Sequence, residues 1–241
     1  MANSTPKTHT YRPNTGKWAI ISSMFAIIGL MMDIILSAYG SWHFGRFDTI
    51  NTDDELALDA WLAQTERLSS VSEWLGYAPM MLFVISAIFV GKWIYDSHHN
   101  ARVLGVENIS YSPLLAVGSF AIPLANLLMP FIAMKDMVNG SFEKADKPTF
   151  HGVILLWWVC FVVGKFTGRY YYRQANTLDA QFTDMADFGV LAEYCERLAG
   201  ILNMLIISSV LSVISAIALI VIIRRTSTLH AQMYQTYHIN T

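Results

Sequence analysis

Five stretches of this chain carry almost no charge, and each is near the length needed to cross a lipid bilayer: residues 18–39, 74–94, 112–134, 152–163 with an extension to 168, and 200–223. A hydrocarbon core about 30 Å thick takes roughly 20 apolar residues of helix. No water is present there to bond free N–H and C=O groups, so such a run folds as a helix. The chain is 54% hydrophobic and only 14% charged, where a soluble domain carries about 25% charge. A soluble fold of 241 residues has too little polar surface to cover five such runs. The expectation is an all-α, polytopic membrane helix bundle. Lys7, Arg12 and Lys17 precede the first run. Its length and the lack of an A-x-A cleavage site make it an uncleaved signal anchor rather than a leader peptide.

Lys and Arg collect in cytoplasmic loops, so their positions set orientation. If all five runs cross, nine basic residues fall inside and seven outside, which is hardly a bias. If 112–134 enters and returns on the same side, ten lie inside (Lys7, Arg12, Lys17, Lys92, Arg102, Lys135, Lys144, Lys147, Arg224, Arg225). Six then lie outside: Arg46, Arg67, Lys165, Arg169, Arg173 and Arg197. Four crossings account for the charges better. The third run also has the sequence of an interrupted helix. Pro113 suits a helix start, whereas Pro123 and Pro130 fall inside the apolar stretch, where proline removes a backbone bond and kinks or breaks a helix. Asn126 lies between them. The expected architecture is therefore four spanning helices plus a proline-broken third segment, re-entrant or kinked, with extramembrane amphipathic helices in two acidic loops.

In this scheme residues 1–17 are a cytoplasmic tail. Residues 18–95 form a first hairpin with an outer acidic loop at 40–73, and 96–149 a cytoplasmic-side linker holding the interrupted segment. Residues 150–225 form a second hairpin with an outer acidic loop at 169–199, and 226–241 a second cytoplasmic tail. An internal repeat supports it. Glu66-Arg67-Leu68 and Glu196-Arg197-Leu198 precede the second and fifth runs, and Val84-Ile85-Ser86-Ala87-Ile88 recurs as Val213-Ile214-Ser215-Ala216-Ile217. With a middle segment that does not cross, both halves share an orientation, related by an axis along the membrane normal.

Few residues carry candidate chemistry. Asp33 and Lys165 are the charges deepest in apolar runs, and an ionisable residue at that depth is a functional candidate because it is costly to hold there. They either meet as an ion pair that ties the hairpins or, for Lys165, reach outward to the interface. Asp96, His98 and His99 follow the second run and read as interfacial polar residues. As metal ligands they are weak candidates, since neighbouring histidines on a helix point about 100° apart and nothing else completes a set. No histidine falls inside an apolar run to serve a b-type haem, and no cofactor is expected. Cys160 and Cys195 sit at different depths and make no disulfide framework. Gly164-x-x-x-Gly168 and the Ser208, Ser212, Ala216 face allow close helix packing, internal or between copies. Phosphate-binding, zinc-protease, nucleophile-elbow and dinucleotide motifs are absent, and nothing supports nucleic-acid binding.

The stretch from the second run through the third carries a spaced motif. It includes Trp93, Tyr95, Asn100, Leu104 and Gly105, then Ser112-Pro113 and Ala116-Val117-Gly118. Next come Ile122-Pro123, Asn126-Leu127 and Pro130-Phe131, ending at Met134-Lys135-Asp136. Over roughly residues 75–170 this resembles the bacterial DUF4328 family, a membrane domain of unknown function. Asp96, His98 and His99 stand where members of that family often carry Arg, which argues against a clamp for anionic lipid. The resemblance implies a bacterial inner membrane and brings no activity, substrate or cofactor.

Together these features predict a non-enzymatic integral membrane protein with a cytoplasmic N-terminus. It would act as a scaffold or accessory subunit, meeting the lipid bilayer and a partner membrane or periplasmic protein, or a second copy of itself. The alternative is a small-solute or ion transporter or channel with its site at the broken third segment. Candidate binding residues are Asn126, Pro123, Pro130, Asn100, Asp33 and Lys165.

Overall fold

A computed structural model describes residues 10–13, 15–122, 125–181 and 188–239. All regular structure among them is helical. The helices are α1 (Gly16–Phe44), α2 (Glu55–Val103), α3 (Pro113–Gly118), α4 (Met129–Lys144), α5 (His151–Gln181) and α6 (Phe188–Ile239), with single 3-10 turns at Phe47–Thr49 and Ala125–Leu127. Four of these helices are long and apolar enough to cross a membrane: α1, α2, α5 and α6. Only 22, 6, 28 and 33% of their most apolar windows is buried in the protein. Side chains such as Trp18, Ile35, Met80 and Ile88 stand outward. Apolar faces this long and this bare fit lipid rather than water.

The acidic loops are helical in a different way from separate amphipathic helices. Asp54 caps α2 by accepting from the N–H groups of Leu56 and Ala57 at 3.1 and 3.3 Å. The helix then runs without a stop through the acidic stretch and the apolar run to Val103, with Pro79 inside it. At 49 and 52 residues, α2 and α6 are roughly 74 and 78 Å long, more than twice a hydrocarbon core. Of the second acidic loop, residues 169–181 are the end of α5 and residues 188–199 the start of α6.

α2 stops by local chemistry. Gly105 takes a left-handed φ of +74°, and the Val106 N–H reaches back to the Ala101 carbonyl at 2.9 Å while that of Gly105 bonds Arg102 at 3.1 Å. These are the two bonds of a glycine-terminated helix end. Ser112-Pro113 does the reverse. The Ser112 hydroxyl accepts from Leu115 N–H at 3.2 Å and proline takes the first helical position. The third apolar run is thus no single helix. α3 lasts six residues, the backbone turns, and α4 begins at Met129. Pro130 lies in the first turn of α4, where its missing N–H has no intrahelical acceptor to leave empty. It starts a helix instead of kinking one. Pro123 lies outside the described residues.

The chain divides into two compact units, and each long helix contributes to both. Met1–Ser23, Ile85–Trp158 and Ile217–Thr241 make the first. Its core joins Trp93, Met134, Met137, Ile154, Ile222 and Ile223 with buried polar side chains. Met24–Val84 and Val159–Ala216 make the second. There Phe47, Trp61 and Cys195 form a buried cluster, His43 stacks on Trp61 at 5.1 Å, and the His43 ring bonds the Thr65 hydroxyl at 2.8 Å. In the same unit α5 and α6 pack through small residues: the Ser208 hydroxyl donates to the Gly164 carbonyl at 2.9 Å. Gly29 lets α1 pass close to α2, since an added Cβ would sit 3.2 Å from the Pro79 backbone.

A polar clamp on the second long helix

Within the first unit the last three turns of α2 present a row of polar and aromatic side chains on one face, because positions 93, 96, 97 and 100 recur at the helical spacing. Trp93 is buried and its indole N–H donates to the Ser227 hydroxyl on α6 at 2.9 Å. Asp96 has a side chain only 5% exposed. Its carboxylate receives Arg12 at 3.3 Å, Lys92 at 3.2 Å and the Thr15 hydroxyl at 3.1 Å. One turn on, Asn100 Oδ1 accepts the Arg12 backbone N–H at 2.8 Å and its amide donates to the Arg12 carbonyl at 3.1 Å. The Arg12 guanidinium also lies 4.8 Å over the Tyr95 ring. Tyr11 stacks on Tyr234 at 4.2 Å and 17°, and the His99 ring bonds the Thr10 carbonyl at 3.1 Å. Beneath these residues lies a cavity of about 10 Å³, lined mainly by Asp96, Ser97, Asn100, Ser227 and His230. That is room for about one water.

Two histidines lie deeper. His98 is fully buried, with Nδ1 at 3.0 Å from the Ile94 carbonyl and Nε2 at 3.2 Å from the Ala133 carbonyl of α4. A neutral imidazole has one N–H, so only one of these two acceptors is served at a time. His230 on α6 faces the Ser141 hydroxyl at 2.8 Å. That hydroxyl gives its proton to the Met137 carbonyl at 2.6 Å, so His230 Nε2 is the donor to it. Burial pushes both imidazoles down to about 4, for His98 against the opposing pull of its two carbonyls, and for His230 with His98 adding to the effect.

The sequence suggests an interfacial position for Asp96, His98 and His99. The structure adds that Asp96 and His98 are buried among the protein's own side chains. α2 continues past its apolar run and is met there by α4, α6 and residues Thr10, Arg12 and Thr15. Cys195, which reads as a loop residue, is buried in α6. Asp33 and Lys165 belong to the second unit, and among the described residues no ion pair joins them. The Lys165 ammonium lies 4.1 Å over the Phe83 ring and 5.6 Å from that of Phe161. Pro130 is buried at the head of α4, and the Asn126 Oδ1 atom is buried with no protein partner. Of the binding candidates among the described residues, Asn100 enters the clamp, and of the weak metal candidates Asp96 and His99 do. Sequence reasoning missed Arg12, Thr15, Ser141, Ser227 and His230. Arg12 counts only as a basic residue of the leader, and Ser227 and His230 fall in what reads as a tail. Their one signal is a polar i, i+3 pair continuing the helical phase of the fifth run.

A family model described as a domain of unknown function (DUF4328) matches residues 55–228, which include most of this clamp. No curated protein and no solved structure matches the chain.

Proposed function

The chain belongs to the DUF4328 family, and from that premise we propose that it is a non-enzymatic, multi-pass protein of the bacterial inner membrane that serves as a scaffold or accessory subunit. One observation carries this. The polar side chains of the clamp are spent on one another and on the chain's own backbone: Trp93 on Ser227, Asn100 on Arg12, Asp96 on two cations and a hydroxyl. An enzyme or solute site needs such groups free and convergent. On the second acidic stretch, a groove of about 450 Å³ between the end of α5 and the start of α6 is lined by Tyr170, Gln174, Gln181, Arg197 and Met204. This mix of aromatic, amide and arginine side chains suits a protein partner.

The broken third segment supports a half-inserted arrangement. Leu114, Leu128, Ile122 and Leu127 are exposed on and around the break, Leu114 by 75%, and lipid gives these side chains a solvent. With ten basic residues on one side and six on the other, the termini and the segment's two ends are cytoplasmic. The helix order of 29 then 49 residues, followed by 31 then 52, supports descent from a duplicated hairpin. The test is purification in mild detergent followed by mass spectrometry. A membrane or periplasmic protein recovered in stoichiometric amount supports the scaffold role, and recovery of the chain alone with no partner from its native host counts against it. The unpartnered Asn126 Oδ1 favours the second reading, a transporter with its site at the break. An Asn126→Ala variant that abolishes a solute flux seen in proteoliposomes would establish that role instead.

A further inference from the structure

Residues 10–13 and 15, ahead of α1, are non-helical, yet this stretch is held closely, and by side chains of α2 and α6. Asn100 bonds both the N–H and the C=O of Arg12. Both groups of one residue face the same way only where the backbone is extended, as in the paired residues of a sheet. A carboxamide that takes both reads an extended backbone whatever its side chain. The neighbouring groups read side chains. Asp96 and the Tyr95 ring together fit a guanidinium, and Tyr234 offers a flat face to an aromatic ring one residue earlier. The receptor groups stand on two long helices whose own backbone bonds fix them before the segment docks.

We infer that this face of α2 and α6 is a binding site for an extended peptide bearing an aromatic residue followed by arginine, and that in this structure the chain's own Tyr11 and Arg12 fill it as a detachable strap. Docking orders only a handful of residues against a handful of hydrogen bonds and one stacked ring, two opposing quantities of similar size, so the strap exchanges with a competitor. With the strap lifted, a buried carboxylate, a carboxamide and the small polar cavity below them open to solvent. The ligand is then an arginine-bearing segment of a partner protein, with the strap as its competitor in cis. This surface is separate from the α5–α6 groove and stands whether or not that groove binds anything.

The test uses the full-length chain in detergent micelles and, as probe, a fluorescein-labelled peptide of residues 8–17. Arg12→Glu removes the strap's cation and leaves the receptor untouched. Fluorescence anisotropy should show the probe binding this variant at least tenfold more tightly than the unaltered chain. Adding Asn100→Ala or Asp96→Asn should abolish the gain, and a probe with Glu in place of its Arg should not bind. A folded Arg12→Glu protein that fails to bind the probe overturns the inference, and so does binding indifferent to Asp96 and Asn100. Should Arg12→Glu not fold, hydrogen exchange on the unaltered chain decides. Amides of residues 10–12 exchanging at least tenfold faster than those of 94–103 sustain a detachable strap. Equal protection overturns it.

Discussion

Adding a methyl group at Gly168 should destabilise the α5–α6 contact, and a second small change should reverse the sign of that effect. An alanine Cβ there would fall 2.9 Å from Ser208 Oγ and 3.9 Å from Ser208 Cβ. The first distance is a clash and the second ordinary contact. The hydroxyl also donates to the Gly164 carbonyl at 2.9 Å, so moving it sacrifices a bond worth about 1 kcal/mol net. Leaving it in place overpacks the contact at a cost of about 1–3 kcal/mol. Alanine regains up to about 1 kcal/mol of helix propensity over glycine. Gly168→Ala should therefore cost about 1 kcal/mol overall. Once Ser208→Ala has removed the oxygen, only the propensity gain remains, and the same substitution should stabilise by about 0.5–1 kcal/mol. Reversible unfolding in mixed micelles of the four proteins of this cycle measures both. Additive effects, with Gly168→Ala costing the same in either background, would refute the packing described.

Three further outcomes follow from the buried groups. Unfolded imidazoles titrate near 6.5, whereas His98 and His230 are held near 4. The unfolded chain therefore binds more protons between those values, and stability is complete above pH 6.5. It falls as pH drops toward 4, by up to about 3 kcal/mol per histidine. Thermal melts from pH 8 to pH 5 should show this decline, and a flat profile contradicts it. Trp93→Phe keeps the buried ring but loses the indole's hydrogen bond to Ser227, costing about 1 kcal/mol, while Trp93→Ala should cost about 3–5 kcal/mol. Equal melting temperatures for the two variants would exclude the indole's assigned role. Burial, with Asp48 adding to it, pushes the Cys195 thiol up to about 11, so maleimide should leave it unlabelled at pH 8 until the protein unfolds. Rapid labelling of the folded chain would place that thiol elsewhere.

How far the sequence carries depends on the range of the interaction. The four spans follow from run length and charge alone, because the bilayer fixes both. The stop at Gly105 and the start at Ser112-Pro113 are equally local: each is set by the φ preference or hydroxyl of one residue, and each is a position of the family-like motif. Local signals mislead at Pro130. Proline reads alike as a kink or a first turn until the neighbouring helix boundary is known. They also understate α2, whose polar first half extends the apolar helix instead of forming a separate one. The clamp is out of reach for a different reason. Arg12 meets Asn100 across 88 residues, and Trp93 meets Ser227 across 134. Hydrophobic periodicity carries no information about which distant polar side chains find one another, so the burial of Asp96 and His98 shows only once their cover is seen. Of the two arrangements open to Asp33 and Lys165, the ion pair does not form among the described residues, and Lys165 settles on the Phe83 ring one helix away.

The proposed arrangement has four crossings, with a third apolar segment that enters the membrane and returns. It is tested most directly by single cysteines at Glu107 and Asp146, on either side of that segment, in a Cys160→Ser, Cys195→Ser background. Both should react with an impermeant maleimide only when the cytoplasmic face is opened, whereas a cysteine at Asn51 should react from the outside. Labelling of residues 107 and 146 from opposite faces would mean that 112–134 crosses fully, and the four-crossing arrangement would be wrong.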